Sequence, residues 1–158
     1  GRFNARDVDL NRNWDCNWQP TGLWRDEAVS GGAAPFSEPE TAALRDLFLD
    51  TPMQAVIFWH SAAGVVLPGA CRPATLHAPS RALAEVYGAV SEFPVQQALN
   101  YEINGDASDW LTTQGIPSIA VEFSNHSAME WERNLAGTLA VLDYYAQACA
   151  AGCGASDR

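Results

Sequence analysis

The chain has 158 residues, room for one domain with its own core rather than two. Hydrophobic residues make up 47% and charged residues 18%, which excludes a disordered tail. Nine basic residues, all Arg, stand against 19 acidic ones for a formal charge of −10, a balance that argues against nucleic-acid phosphates or an anionic membrane surface as partners. No apolar run approaches the roughly 20 residues that span a bilayer. Gly1–Arg12 is polar and alternately charged, without the apolar stretch of a signal peptide, and there is no initiator Met. A fragment or a processed product is expected on that ground.

In chain order, Gly1–Trp14 reads as an extended segment that sets Asn11 beside Arg12. A guanidinium and an amide side by side make a natural carboxylate clamp; the plainer reading is a solvated, charged edge. Asp15–Pro35, with two Pro-anchored turns, a Gly31-Gly32 pair and Trp18 and Trp24, reads as a long irregular loop. Ser37-Glu38-Pro39-Glu40 is a capping box with Ser37 as cap, predicting a helix to about Asp50 that buries Ala43, Leu44, Leu47 and Phe48. Gln54–His60 is too short and apolar for a helix and is expected to be a buried strand. A second helix fits Ser80–Glu92, and a short one runs from near Asp106 to Gly115. Ser118–Phe123 is a second buried strand. A long helix from about Ala128 to Ala148 carries Leu135, Leu139, Leu142 and Tyr145 on its apolar face. The Ala/Gly/Cys-rich tail, 149–158, is expected to fray. Helices alternating with apolar strands predict an α/β sheet covered on both faces.

Of the four cysteines, Cys16, Cys71, Cys149 and Cys153, none forms a CxxC pair or a zinc-finger pattern. Cys16 and Cys71 both sit in loop-like sequence. A disulfide between them suits a secreted protein, and two free thiols suit a cytosolic one.

The sharpest chemical signal is that two apolar strands each end in an ionisable residue. Ala55-Val56-Ile57-Phe58-Trp59 ends in His60, and Ile119-Ala120-Val121 ends in Glu122. Ligands of open α/β sheets bind beyond the carboxyl ends of the strands. A carboxylate flanked by Val121 and Phe123 is costly unless it is paired, near a metal, or needed as a base. The plainer readings are a hydrogen-bonded core histidine and a salt-bridged structural acid.

Asp9-Leu10-Asn11-Arg12-Asn13-Trp14, then Pro35-Phe36-Ser37-Glu38-Pro39-Glu40-Thr41, His60-Ser61, Tyr101 ahead of Gly105-Asp106-Ala107-Ser108-Asp109-Trp110, and Val121-Glu122-Phe123 follow in order along nearly the whole chain. Together they resemble the zinc carboxypeptidase family (carboxypeptidase A-like metallopeptidases) in its bacterial branch. The resemblance implies a mixed sheet covered by helices on both faces, the phosphorylase/hydrolase-like carboxypeptidase fold, with 1–148 as the C-terminal part of the domain and its N-terminal part missing. It implies one zinc ion, with His60 as the third zinc ligand. Glu122 is implied as the base that takes a proton from the attacking water and returns it to the leaving amine. Arg2 would steady the oxyanion, Asn11 and Arg12 would hold the substrate's terminal carboxylate, and Tyr101 would close over the substrate. Ser108, just before Asp109, sits at the family's main selector of the last side chain. Its hydroxyl suits a small, polar or unusual residue, including that of a cell-wall peptide. The partner implied is a peptide with a free C-terminus, and the expected location is secreted or extracytoplasmic.

One departure stands out. The family's other two zinc ligands come from a His-x-x-Glu motif upstream of the arginines, and none of His60, His77 and His126 is followed by Glu at the third position. His77 and His126 are expected to be structural or surface residues. Two further ligands are therefore expected upstream of residue 1, and the isolated chain is expected to be inactive. Alternatives are an inactive pseudo-peptidase, a carboxylate- or peptide-binding module without need of Glu122, or a zinc deacylase of the aspartoacylase kind. No Gly-x-Ser-x-Gly elbow supports a serine hydrolase. An acidic, Trp-rich loop would not depress the Cys16 pKa for nucleophilic use.

Overall fold

The computed structural model describes residues 2–24, 26–71 and 77–153. The first segment folds into one 3-10 turn, Leu10–Arg12, followed by a hairpin of β1 (Thr21–Trp24) and β2 (Glu27–Ser30). Then come α1 (Pro39–Asp50), β3 (Val56–Ser61), β4 (Val66–Pro68), α2 (Ala78–Ser91), α3 (Ala107–Thr113), β5 (Ser118–Phe123) and α4 (Trp131–Cys153). β5 is the central strand of a mixed sheet ordered β3-β5-β4, parallel to β3 and antiparallel to β4.

Alternate residues of the sheet feed two cores. Ile119 and Val121 of β5 and Val66 of β4 pack on Leu83, Ala84 and Tyr87 of α2 and Val141 of α4. On the other face Val56 and Phe58 of β3 meet Phe48 of α1, Trp110 and Leu111 of α3, and Trp14. Helices thus cover both faces, as expected. Each fully buried Leu, Ile or Val contributes about 1.5–3 kcal/mol of transfer free energy. Cys16 and Cys71 form a disulfide with a Cα–Cα distance of 5.4 Å, which ties the segment after the 3-10 turn to the loop after β4. Cys149 is a free, exposed thiol.

Several expectations need correction. The stretch taken as one irregular loop contains the β1–β2 hairpin, whose four-residue strands are too short to show a clear alternation. The capping box does not form. Glu38, not Ser37, occupies the N-cap position of α1, without a side-chain capping bond, and Pro39 opens the first turn. Asn13 replaces the local cap from a distance: its Oδ1 accepts the Glu38 N–H at 3.2 Å and the Thr41 hydroxyl at 2.6 Å. Of the residues assigned to the buried face of α1, Phe48 is buried while Ala43, Leu44 and Leu47 are exposed. β3 is half-buried rather than buried, with Trp59 exposed, because it has no second neighbour among the described residues.

In α4 the leucine stripe faces outward, Leu139 being 51% and Leu142 61% exposed. The helix docks instead through Asn134, Gly137 and Val141. A Cβ on Gly137 would lie 2.6 Å from the Tyr87 ring, so only glycine permits this approach. The Tyr87 hydroxyl donates to Asn134 Oδ1 at 2.7 Å. Small and polar residues thus share the docking face with Val141 and Tyr145, a mixture that the leucine periodicity does not reveal. α4 also continues to Cys153, into the segment expected to fray; the remainder of that tail, 154–158, lies outside the described residues.

Candidate active site

β3 and β5 run in parallel register with His60 opposite Glu122, so both side chains leave the same face at the carboxyl end of the sheet. Neither plainer reading finds its partner. His60 stacks on Phe58 at 6.4 Å between ring centroids and makes no side-chain hydrogen bond among the described residues. Glu122 has no ion pair among them, and its Oε2 accepts only the Ala63 N–H, at 3.4 Å.

The 3-10 turn presents the second group. Asp9 caps it by accepting the Asn11 N–H at 3.1 Å and forms an ion pair with Arg2 at 2.7 Å. Arg2 also lies 4.8 Å over the Trp24 ring. Arg12 is buried and held by the hairpin. Its Nε and Nη2 donate to the Leu23 carbonyl at 3.3 and 2.9 Å, and Nη1 donates to the Asn11 carbonyl at 2.8 Å. Its two other N–H donors have no acceptor among the described residues. The Leu23 carbonyl was invisible to sequence reasoning, since a backbone atom leaves no residue signature.

Gly105 locks the segment before α3 onto this turn. The Trp14 N–H donates to its carbonyl at 3.2 Å and its own N–H donates to the Cys16 carbonyl at 2.8 Å. At φ +67° it adopts the left-handed conformation, and a Cβ there would collide with the Arg12 carbonyl. Asn11 thereby meets Asp106, its Nδ2 donating to Oδ2 at 2.7 Å. Ser108 donates its hydroxyl to Asp106 Oδ1 at 2.6 Å, so that hydroxyl is already engaged by a carboxylate. Sequence reading had assigned no site role to Asp106 or Asp109, although two acids three apart at the head of a helix were a readable signal.

One cavity of about 270 Å³ gathers all seven predicted residues, Arg2, Asn11, Arg12, His60, Tyr101, Ser108 and Glu122, with Asp106 and Asp109 in the same wall. Tyr101 is half exposed. His126, exposed, pairs its Nδ1 with the Ser61 hydroxyl at 2.9 Å, and His77 pairs with Ser80 at 2.8 Å ahead of α2. A catalytic zinc takes three protein ligands. Among the described residues no three His, Cys, Asp or Glu side chains converge, so these residues alone do not make up the set.

Burial first, and then the charge of Asp106, push the Asp109 pKa from the ordinary 3.8 up to about 8, against the Ala70 N–H bond that lowers it. The folded state therefore keeps a proton that the unfolded chain releases near pH 4, and this group costs stability progressively as pH rises from about 4 to about 8. Asp109→Asn keeps the acceptor for Ala70 and removes the titration. The variant is expected to be more stable than the parent by several kcal/mol at pH 8, about 1.4 kcal/mol for each pH unit between the two values, and by almost nothing at pH 4. Urea unfolding at the two pH values checks this; an equal gain at both contradicts it.

The mixed sheet, helices on both faces and a polar cavity at the carboxyl ends of its parallel strands β3 and β5 define the class of protein as an α/β fold of the carboxypeptidase type. A profile of the family described as Zinc carboxypeptidase (Peptidase_M14) matches residues 1–134, and the chain belongs to that family. It is 30% identical over 139 residues to murein peptide amidase A of Escherichia coli (strain K12), covering 82% of this chain and 54% of the relative. It is 28% identical over 131 residues to carboxypeptidase A6 of Homo sapiens, covering 73% of this chain and 30% of that protein. The crystal structure of murein-tripeptide amidase MpaA from Escherichia coli O157 superposes with a TM-score of 0.66 at 24% identity, covering 89% of this chain and 59% of that one. The chain spans about half the length of the amidase it matches.

Proposed function

We propose that the complete domain containing this chain is a zinc-dependent metallocarboxypeptidase that hydrolyses the C-terminal bond of peptides. The observation that carries this reading is the single cavity holding Asn11 and Arg12 together with His60 and Glu122. Asn11 and the two Arg12 N–H donors that have no acceptor among the described residues bind the terminal carboxylate. Glu122, with no ion-pair partner among the described residues, accepts a proton from the attacking water and passes it to the leaving amine. Arg2 donates to the oxyanion that develops on the carbonyl. Tyr101, on the rim, folds over the bound peptide.

His60 is one zinc ligand, and two more come from the part of the domain outside this chain. The isolated chain therefore turns over no peptide. That outside part is also the partner that covers the open edge of β3 and the exposed Trp59, Leu44, Leu47, Leu139 and Leu142. The polar wall of Ser108, Asp106 and Asp109 favours a polar last residue, which is compatible with the murein peptide in the name of the Escherichia coli amidase. The Cys16–Cys71 disulfide supports a secreted or extracytoplasmic location. No described helix is long and apolar enough to cross a membrane.

Metal analysis tests the assignment of His60. The complete domain is expected to hold one zinc per molecule and to lose activity on chelation, and His60→Ala should bind zinc far more weakly. A domain without zinc, or a His60→Ala variant with full occupancy, contradicts it.

A further inference from the structure

We propose that Asp106 is a positioning residue whose carboxylate fixes the Asn11 side-chain amide so that the amide presents an N–H to a substrate carboxylate in the cavity. The inference rests on the carboxypeptidase reading and adds to it the group that orients the clamp.

Both ends of the Asn11 amide are held. Nδ2 donates to Asp106 Oδ2 at 2.7 Å, and Oδ1 accepts the Ala107 N–H at 3.1 Å. Turning the amide over would set Nδ2 against the Ala107 N–H and Oδ1 against a carboxylate, two repulsions in place of two bonds. The hydrogen-bonding network therefore determines the orientation. One Nδ2 hydrogen remains, in the cavity that Arg12 also lines.

Asp106 is itself held rigidly. It is buried, its Oδ1 accepts the Ser108 hydroxyl at 2.6 Å and the Asp109 N–H at 3.1 Å, and it caps α3. Three donors disperse its charge, which is how an anion is tolerated beside a site for anions. Asp109, held protonated up to about pH 8, adds no second negative charge near neutrality. With its oxygens occupied, Asp106 is poorly placed to take a basic side chain directly, since a cation would have to displace one of these donors.

The test uses the complete domain, ¹⁵N-labelled and titrated with N-acetyl-alanine, N-acetyl-alaninamide and Nα-acetyl-lysine. In the parent, one Asn11 Nδ2 hydrogen should exchange slowly. N-acetyl-alanine should shift the other, and the amide should not. Asp106→Asn keeps a good helix cap and should weaken both free-acid probes alike, by about tenfold or more. In an Asn11→Ala background the same change should add less than about twofold, because the group it orients is gone. If the Asn11 signals respond to carboxylate yet Asp106→Asn binds as the parent does, the positioning role is wrong and the carboxypeptidase reading survives. A loss confined to the lysine probe also overturns it, making Asp106 a direct cation contact. Parent Asn11 signals that ignore every free acid overturn the carboxylate site and the positioning role together. Should Asp106→Asn fail to fold, fast exchange of both Nδ2 hydrogens in the parent is sufficient to refute the role.

Discussion

In the complete domain, Glu122→Gln is expected to lower kcat by ~10²–10⁴-fold while zinc content and KM stay near the parental values, the loss general acid–base catalysis commonly carries. Glutamine matches glutamate in shape, and its amide oxygen can still accept the long Ala63 N–H bond. No ion pair is broken among the described residues, so folding has little to lose. What disappears is the capacity to take a proton from water at the end of β5, opposite His60 in register. Steady-state kinetics with zinc analysis and a thermal melt separate the cases. Parental turnover would make Glu122 a structural acid, and joint loss of zinc and folding would place it in the metal site's architecture rather than in proton transfer.

The parts of the site legible in the sequence were those whose chemistry is local. An apolar strand that ends in His or Glu announces itself through composition. Two such strands, Gln54–His60 and Ser118–Phe123 as read from the sequence, each carry an ionisable residue near the carboxyl end, and the parallel register of β3 and β5 sets His60 opposite Glu122. What was not legible depends on contacts between distant residues or on backbone atoms. Asn11 and Asp106 are 95 residues apart and meet only because Gly105 is bonded to both Trp14 and Cys16. Arg12 is aimed by the Leu23 carbonyl, in a hairpin whose strands are too short to show a period. The capping box is absent because the Ser37 hydroxyl is engaged elsewhere, accepting from Asn13 Nδ2 and donating to Glu38 Oε1. The error in α4 had another origin: hydrophobic periodicity ranks Leu above Gly and Asn. A close approach of two helices needs a missing side chain at Gly137 and a hydrogen bond at Asn134 instead.

Replacing the C-terminal carboxylate of a substrate by an amide is expected to reduce kcat/KM of the complete domain by about 100-fold or more. Charge-assisted hydrogen bonds contribute about 1.5–3 kcal/mol each, and an amide loses both the charge and one acceptor facing Arg12 and Asn11. Arg12→Ala alone would be ambiguous. The same guanidinium donates twice to the Leu23 carbonyl, so its removal also loosens the β1–β2 hairpin and should lower Tm. The ratio of free-acid to amide cleavage is free of that ambiguity, because loosening affects both substrates while loss of the clamp affects one. In Arg12→Ala the free-acid rate should fall for every peptide alike and the ratio should collapse toward one. Asn11→Ala, which leaves Arg12 on the hairpin, should reduce the ratio less. If amidated peptides were cut as fast as free ones by the parent, Arg12 and Asn11 would serve only the hairpin and α3, and an endopeptidase or deacylase reading of the same cavity would take the place of the carboxypeptidase.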